Sequence, residues 1–139
     1  MIAQTMDVVE TGELPVLEFV APLPGFPTQR RFVLVERDDS GLLYSLTSID
    51  APELRFLVVP PAPFFPDYSV EVDDESLVAL GLPDADDLLV LLVLTAGETP
   101  AETTANLMAP IVVAKSSRRA VQLILGGSGL PVRAPLLAG

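Results

Sequence analysis

The side chains able to do chemistry are few in this chain: 139 residues hold no histidine, no cysteine and one lysine, Lys115. Without an imidazole or a thiolate, serine–histidine and cysteine–histidine nucleophilic machinery is excluded, and so are zinc sites built on sulfur. Carboxylates remain. Asp73, Asp74 and Glu75 form one cluster, and Asp84, Asp86 and Asp87 another. Two carboxylates converging in a pocket, one protonated and one ionised, are the minimum for acid–base hydrolysis. Both clusters fall at expected turns or helix starts, where acidic side chains cap backbone N–H groups and stay solvated. Capping is the stronger reading, and no catalytic residue is assigned. Asp84-Ala85-Asp86-Asp87 lacks the glycine and the bidentate glutamate of a calcium loop. Gly126-Gly127-Ser128-Gly129 has neither a following lysine nor a helix that would make it a phosphate cradle. No metal, cofactor or nucleotide site is expected.

The second kind of chemistry is recognition. Pro60-Pro61-Ala62-Pro63-Phe64-Phe65-Pro66-Asp67 removes four backbone donors and predicts an extended path outside any ladder, between two strands. Phe64 and Phe65, with Tyr68 just beyond, are ordinary core filling on one reading. On the sharper one they are rigid aromatics with an acidic rim at Asp67, the composition of a binding surface.

Around these segments the elements are short. Apolar runs at Phe32–Val35, Leu54–Val59, Leu88–Leu94, Ile111–Val113 and Val121–Leu125 recur between turn signals, the pattern of a β-rich sandwich or barrel. Tyr68–Asp73 alternates apolar and polar and predicts a strand with one wet face. Turns are expected at Arg37-Asp38-Asp39-Ser40-Gly41 and at Gly126–Gly129. Asp74-Glu75-Ser76 supplies an N-cap and first-turn negative charge for a helix of about two turns ending at Gly81. A second short helix or turn is expected over Ala101–Leu107, stopped by Pro110.

Length gives room for one core, since single domains run to about 100–150 residues. Half the residues are hydrophobic, enough to offset the entropy of ordering. The longest apolar run, Leu88–Leu94, is far short of the roughly 20 residues of a membrane-spanning helix. The first residues show no basic-then-apolar leader, so a cytoplasmic location and no membrane association are expected. Nineteen acidic residues against eight basic ones give a formal charge of -11, which disfavours direct nucleic-acid binding; the acidic surface serves solubility on the stronger reading and a basic protein partner on the sharper one.

Several blocks resemble the FliW family of flagellar assembly factors: Leu23-Pro24-Gly25-Phe26 with Arg31-Phe32-Val33-Leu34, Ser45–Asp50, and Phe56-Leu57-Val58-Val59. Pro63-Phe64-Phe65-Pro66-Asp67-Tyr68 is similar to that family's proline–phenylalanine motif, and Thr104–Val113 to its Thr-Ala-Asn-Leu-x-Ala-Pro signature. The resemblance runs from about Leu17 to Leu136 and takes in the glutamine-containing strand Val121–Leu125. It departs at Arg133-Ala134-Pro135-Leu136, where the family tends to have histidine in second place.

The resemblance implies a mainly β fold, a compact antiparallel barrel-like single domain over 1–139 with one or two short helices. Residues 1–13 match loosely, and 127–139 are read as a flexible tail or a partly ordered cap. It implies no enzyme activity and two partners: flagellin, bound in the cytoplasm, and the RNA-binding translational regulator CsrA. In that scheme the protein freed of flagellin antagonises CsrA, and flagellin translation follows secretion. The residues expected at partner contacts are Phe64, Phe65, Tyr68, Asn106 and Leu107 toward flagellin, Asp67 on the polar rim beside them, and Asp73, Asp74 and Glu75 toward CsrA and its RNA. Charge reversal of those three acids is expected to spare the fold. The free protein is expected to be a monomer. The rival readings are a structural β module that assembles through an exposed strand edge, and a hydrolase built on two carboxylates.

Overall fold

In a computed structural model of the chain, residues 16–21, 23, 30–37, 42–81, 88–125 and 129–136 are described. Of the turns expected at Arg37–Gly41 and Gly126–Gly129, residues 38–41 and 126–128 lie outside the described ones, as does the acidic cluster Asp84–Asp87.

The apolar runs form strands β1 (Leu17–Phe19), β2 (Arg31–Glu36), β3 (Tyr44–Ser48), β4 (Arg55–Val59) and β5 (Leu88–Thr95). They are followed by β6 (Thr104–Ala105), β7 (Ile111–Ala114), β8 (Arg119–Gln122) and β9 (Ala134–Pro135). Seven of these close a barrel in the order β5–β4–β3–β2–β1–β8–β7 and back to β5. All of its pairings are antiparallel except β1–β8, where Glu18 lies opposite Arg119 in parallel register. The fold is mainly β, with one short α-helix among the described residues, in agreement with the expected class.

Strand periodicity decides what fills the barrel, because successive side chains leave opposite faces of a sheet. Phe32 and Leu34 of β2, Leu46 of β3, Val58 of β4, Leu91 of β5, and Ile111 and Val113 of β7 point inward and join Leu17, Phe19 and Ala120 in one buried cluster. Phe19 and Phe32 meet edge to face at 5.3 Å and 71°, the arrangement favoured by the ring quadrupoles. The alternate residues of β5 and β7 are covered from outside as well: Leu92 of β5 is buried with Val90 and Leu94 half-buried, and β7 is buried at all four positions. That double burial is why these strands read as unbroken apolar runs rather than as alternation.

Two outer layers provide the cover. On one side Leu80 and Leu77 of helix α1 (Asp74–Leu80), with Val70 and Val72, pack on Val112, Ala114 and Val121. The alternation at Tyr68–Asp73 thus reports burial correctly, but the segment forms no strand: it lies along the barrel without ladder bonds. The helix begins one residue earlier than expected. Asp73 is the N-cap, its carboxylate accepting from the Ser76 N–H at 3.2 Å and the Ser76 hydroxyl at 2.7 Å, while Asp74 and Glu75 sit in the first turn. Gly81 ends it at φ 79°, a left-handed conformation that suits glycine.

On the other side the proline–aromatic segment packs Phe64, Phe65 and Tyr68 over Val59, Leu92, Ala105 and Leu107. Its path is outside any ladder, as expected, but it is coiled rather than extended. The Pro61 carbonyl accepts from both Phe64 and Phe65, at 2.9 and 2.7 Å, and the Phe65 carbonyl accepts from Tyr68 at 3.0 Å. Proline lacks the donor but keeps the carbonyl, so the segment closes turns on Pro61. The C-terminal stretch belongs to the same layer: β9 pairs with β6, Ala134 opposite Ala105. The helix expected over Ala101–Leu107 is a single 3-10 turn, Pro100–Glu102, because Thr104 and Ala105 are taken into β6.

Candidate protein-binding surface

The Thr-Ala-Asn-Leu-Met-Ala-Pro stretch breaks one barrel strand into two. β6 and β7 both run antiparallel to β5, with Leu94 opposite Ala105 and Leu91 opposite Ile111. Three steps along β5 thus face six along its neighbour, and the excess residues leave the ladder as a bulge. Asparagine suits this position because its short side chain bonds the backbone two and three residues on. Asn106 Oδ1 accepts from the Met108 N–H at 3.0 Å and from the Ala109 N–H at 3.1 Å, and the Asn106 N–H donates to the Val93 carbonyl at 3.0 Å. β8 follows the bulge outward, the Leu125 N–H reaching the Met108 carbonyl at 2.7 Å and Gln122 Nε2 the Ala109 carbonyl at 3.1 Å.

The bulge opens one end of the barrel. A pocket of about 370 Å³ lies there. It is lined by the inward-facing Phe56, Val93, Ile111, Gln122 and Ile124, by Leu23, and by Asn106, Met108 and Ala109 of the bulge. None of these residues carries a formal charge, and Ile124 is 59% exposed at the rim. Phe56, Gln122 and Ile124 were not singled out from the sequence, although alternation along Ala120, Gln122 and Ile124 already places them on one face of the strand.

The residues expected at partner contacts divide into two groups. Phe64, Phe65, Tyr68 and Leu107 come together in the outer layer. Leu107 is 7% exposed there, and the Tyr68 hydroxyl donates to the Leu107 carbonyl at 2.7 Å. Burial pushes the Tyr68 phenol above its ordinary value. These residues therefore tie the proline–aromatic segment to the bulge, while Asp67 is exposed beside them. Asn106 links this layer to the pocket. Asp73, Asp74 and Glu75 form an exposed edge at the start of α1, extended by the exposed Glu71, and none of the four makes an ion pair with a described residue. The Ser76 hydroxyl, and after it the Ser76 N–H, hold the Asp73 carboxyl below its ordinary value. Because Asp73 is the N-cap, reversing its charge removes that bond. The expectation that reversal of all three acids spares the fold is corrected to Asp74 and Glu75 alone.

Among the described residues no group of three or more histidine, cysteine, aspartate or glutamate side chains is placed to hold a metal, and no helix is long and apolar enough to cross a membrane. Among the described residues no carboxylate lines this pocket, whereas the hydrolase reading requires two.

Comparison with known proteins agrees with this architecture. The family model described as "FliW protein" matches residues 2–136. A flagellar assembly factor FliW of Symbiobacterium thermophilum is 38% identical over 125 residues, covering 89% of this chain and 91% of the relative. Flagellar assembly factor FliW 2 of Desulfotalea psychrophila is 34% identical over 131 residues, covering 93% and 85%. A crystal structure of the flagellar assembly factor FliW superposes with a TM-score of 0.83 at 30% identity, over 89% of this chain and 86% of that one. A barrel opened by the asparagine bulge, a proline–aromatic cover and an acidic helix start thus occur together in a chain that belongs to the FliW family of flagellar assembly factors.

Proposed function

We propose that this protein binds flagellin and the translational regulator CsrA in the cytoplasm, and that in its flagellin-free form it antagonises CsrA and relieves repression of flagellin translation. Membership of a family of flagellar assembly factors supports the flagellar role. The observation that carries the antagonism is the acidic edge formed by Glu71, Asp73, Asp74 and Glu75, exposed and without ion pairs to described residues. Such an edge attracts a basic RNA-binding protein and, once docked, repels an incoming phosphate backbone. Each carboxylate acts weakly across a Debye length of about 8 Å, so the effect is collective and falls with salt. It requires no overlap with the RNA site.

The test is calorimetric titration of the protein with CsrA and with flagellin from the same cell, separately and in competition. It is followed by CsrA–RNA binding in the presence of the Asp73→Asn/Asp74→Asn/Glu75→Gln protein. Asparagine at 73 keeps an acceptor for the Ser76 N–H, so the helix is retained while three charges are removed. Mutual displacement of the partners and loss of RNA antagonism in the triple variant are expected. Full antagonism by that variant refutes the charge mechanism, and binding to neither partner refutes the function.

A further inference from the structure

The geometry points to the uncharged mouth of the barrel as the site that receives a bulky apolar side chain on an uncovered segment of flagellin, with the neighbouring peptide group held between Asn106 and Gln122. The inference rests on the proposed flagellin reading and gives that contact a place.

Three observations lead there. The first is size: about 370 Å³ is at the lower end of ligand pockets, which run to roughly 300–1,000 Å³, and suits one or two side chains. The second is charge. In a chain of formal charge -11 the described residues that line the pocket include no ionisable group, while Phe56, Val93, Met108 and Ile111 make its wall apolar. A phosphate, metal or charged metabolite finds no counter-charge there, whereas a leucine, isoleucine or phenylalanine side chain loses water on both sides of the contact.

The third observation is the pair of amides. Asn106 spends Oδ1 on the bulge N–H groups and Gln122 spends Nε2 on the Ala109 carbonyl. Asn106 Nδ2 and Gln122 Oε1 are left with no partner among the described residues: one donor and one acceptor at the edge of an apolar pocket. A peptide unit offers the complementary C=O and N–H, so the pair recognises backbone while the pocket recognises the side chain. Because each amide is anchored by its other atom, both are oriented before the ligand arrives, which lowers the entropy lost on binding.

Two substitutions separate this from a structural role. Ile124→Arg sets a charge at an exposed rim position, and Asn106→Asp keeps the acceptor that holds the bulge while replacing the Nδ2 donor by an oxygen. Both proteins are titrated with flagellin and with CsrA, and their thermal unfolding is recorded. A tenfold or greater loss of flagellin affinity in each variant is expected, with melting temperature and CsrA affinity near those of the parent. Flagellin affinity unchanged in both variants, with the parent binding, overturns the pocket assignment and leaves the proposed function intact. A parent protein that binds no flagellin overturns the flagellin reading itself and this inference with it.

Discussion

Replacing Asn106 by alanine removes the acceptor for two N–H groups of the bulge, since Oδ1 accepts from both Met108 and Ala109. Ala109 is 4% exposed, so its N–H has little access to water once the oxygen is gone, while Met108 is half-buried and recovers part of its loss from solvent. An unpaired buried N–H costs about 1–3 kcal/mol, which places the pair at about 2–4 kcal/mol. Against a total stability of roughly 5–15 kcal/mol for a domain of this size, that is a large fraction. In urea, with a slope of about 1–3 kcal/mol/M, the midpoint falls by about 1–2 M with the slope itself unchanged. Asn106→Asp keeps the acceptor and stays within about 1 kcal/mol of the parent. The pair of variants is the test, because aspartate keeps the acceptor and alanine does not: a side chain with no part in holding the bulge predicts alanine to be tolerated as well as aspartate. An alanine variant within 0.5 kcal/mol of wild type, roughly the range of a neutral surface change, refutes the account of the bulge given above.

Tyr68→Phe removes the donor to the Leu107 carbonyl and lowers stability by about 0.5–1.5 kcal/mol, measured by the same unfolding curves. Because burial raises the Tyr68 pKa above 10.0, the wild-type phenol adds stability that is complete below that value and lost as pH rises through the folded pKa; the phenylalanine variant lacks this alkaline decline. Asp73 has the opposite sign. Its folded pKa is lowered from 3.8, so its contribution is complete above that value and disappears as pH falls through the folded one; acid unfolding of Asp73→Asn shows a correspondingly weaker pH dependence there. Gly97→Ala sets a Cβ 2.4 Å from the Glu102 Cβ and 2.8 Å from its backbone, and lowers the melting temperature by displacing the 3-10 turn.

Much of the barrel was legible because its strands announce themselves as apolar runs between prolines and glycines. β4, β5 and β7 fall where hydrophobicity places them, and Gly81 stops the helix as its conformation requires. β3 was not read as a strand from its pattern: Tyr44-Ser45-Leu46-Thr47-Ser48 is largely polar, and its buried serines are affordable only through tertiary partners. Ser45 accepts from Arg37 at 2.8 Å and Ser48 from the Ala51 N–H at 3.1 Å. Tyr68–Asp73 misleads for the reverse reason, since a period of two records which side is buried and says nothing of whether the backbone is paired. The site was legible in part. Asn106, Leu107 and Tyr68 stand out as residues, but their joint task in the wall is set by a register difference between two short strands on one neighbour, which no local pattern encodes.

The parallel seam has a bearing on how this protein is made. Glu18 and Arg119 lie opposite one another across about 100 residues of chain, and joining the ends of a loop that long costs about 4 kcal/mol of chain entropy. No stretch emerging early from the ribosome is able to shut the barrel, since β8 is synthesised near the end. Until then β1 has an unpaired hydrogen-bonding edge, and the apolar faces of Leu17, Phe19 and Phe32 lack their final cover. Topologies dominated by such distant pairings fold in milliseconds to seconds, so the nascent chain passes through an interval as a half-open sheet. Until β8 arrives, those apolar faces are the part of the nascent chain most in need of shelter.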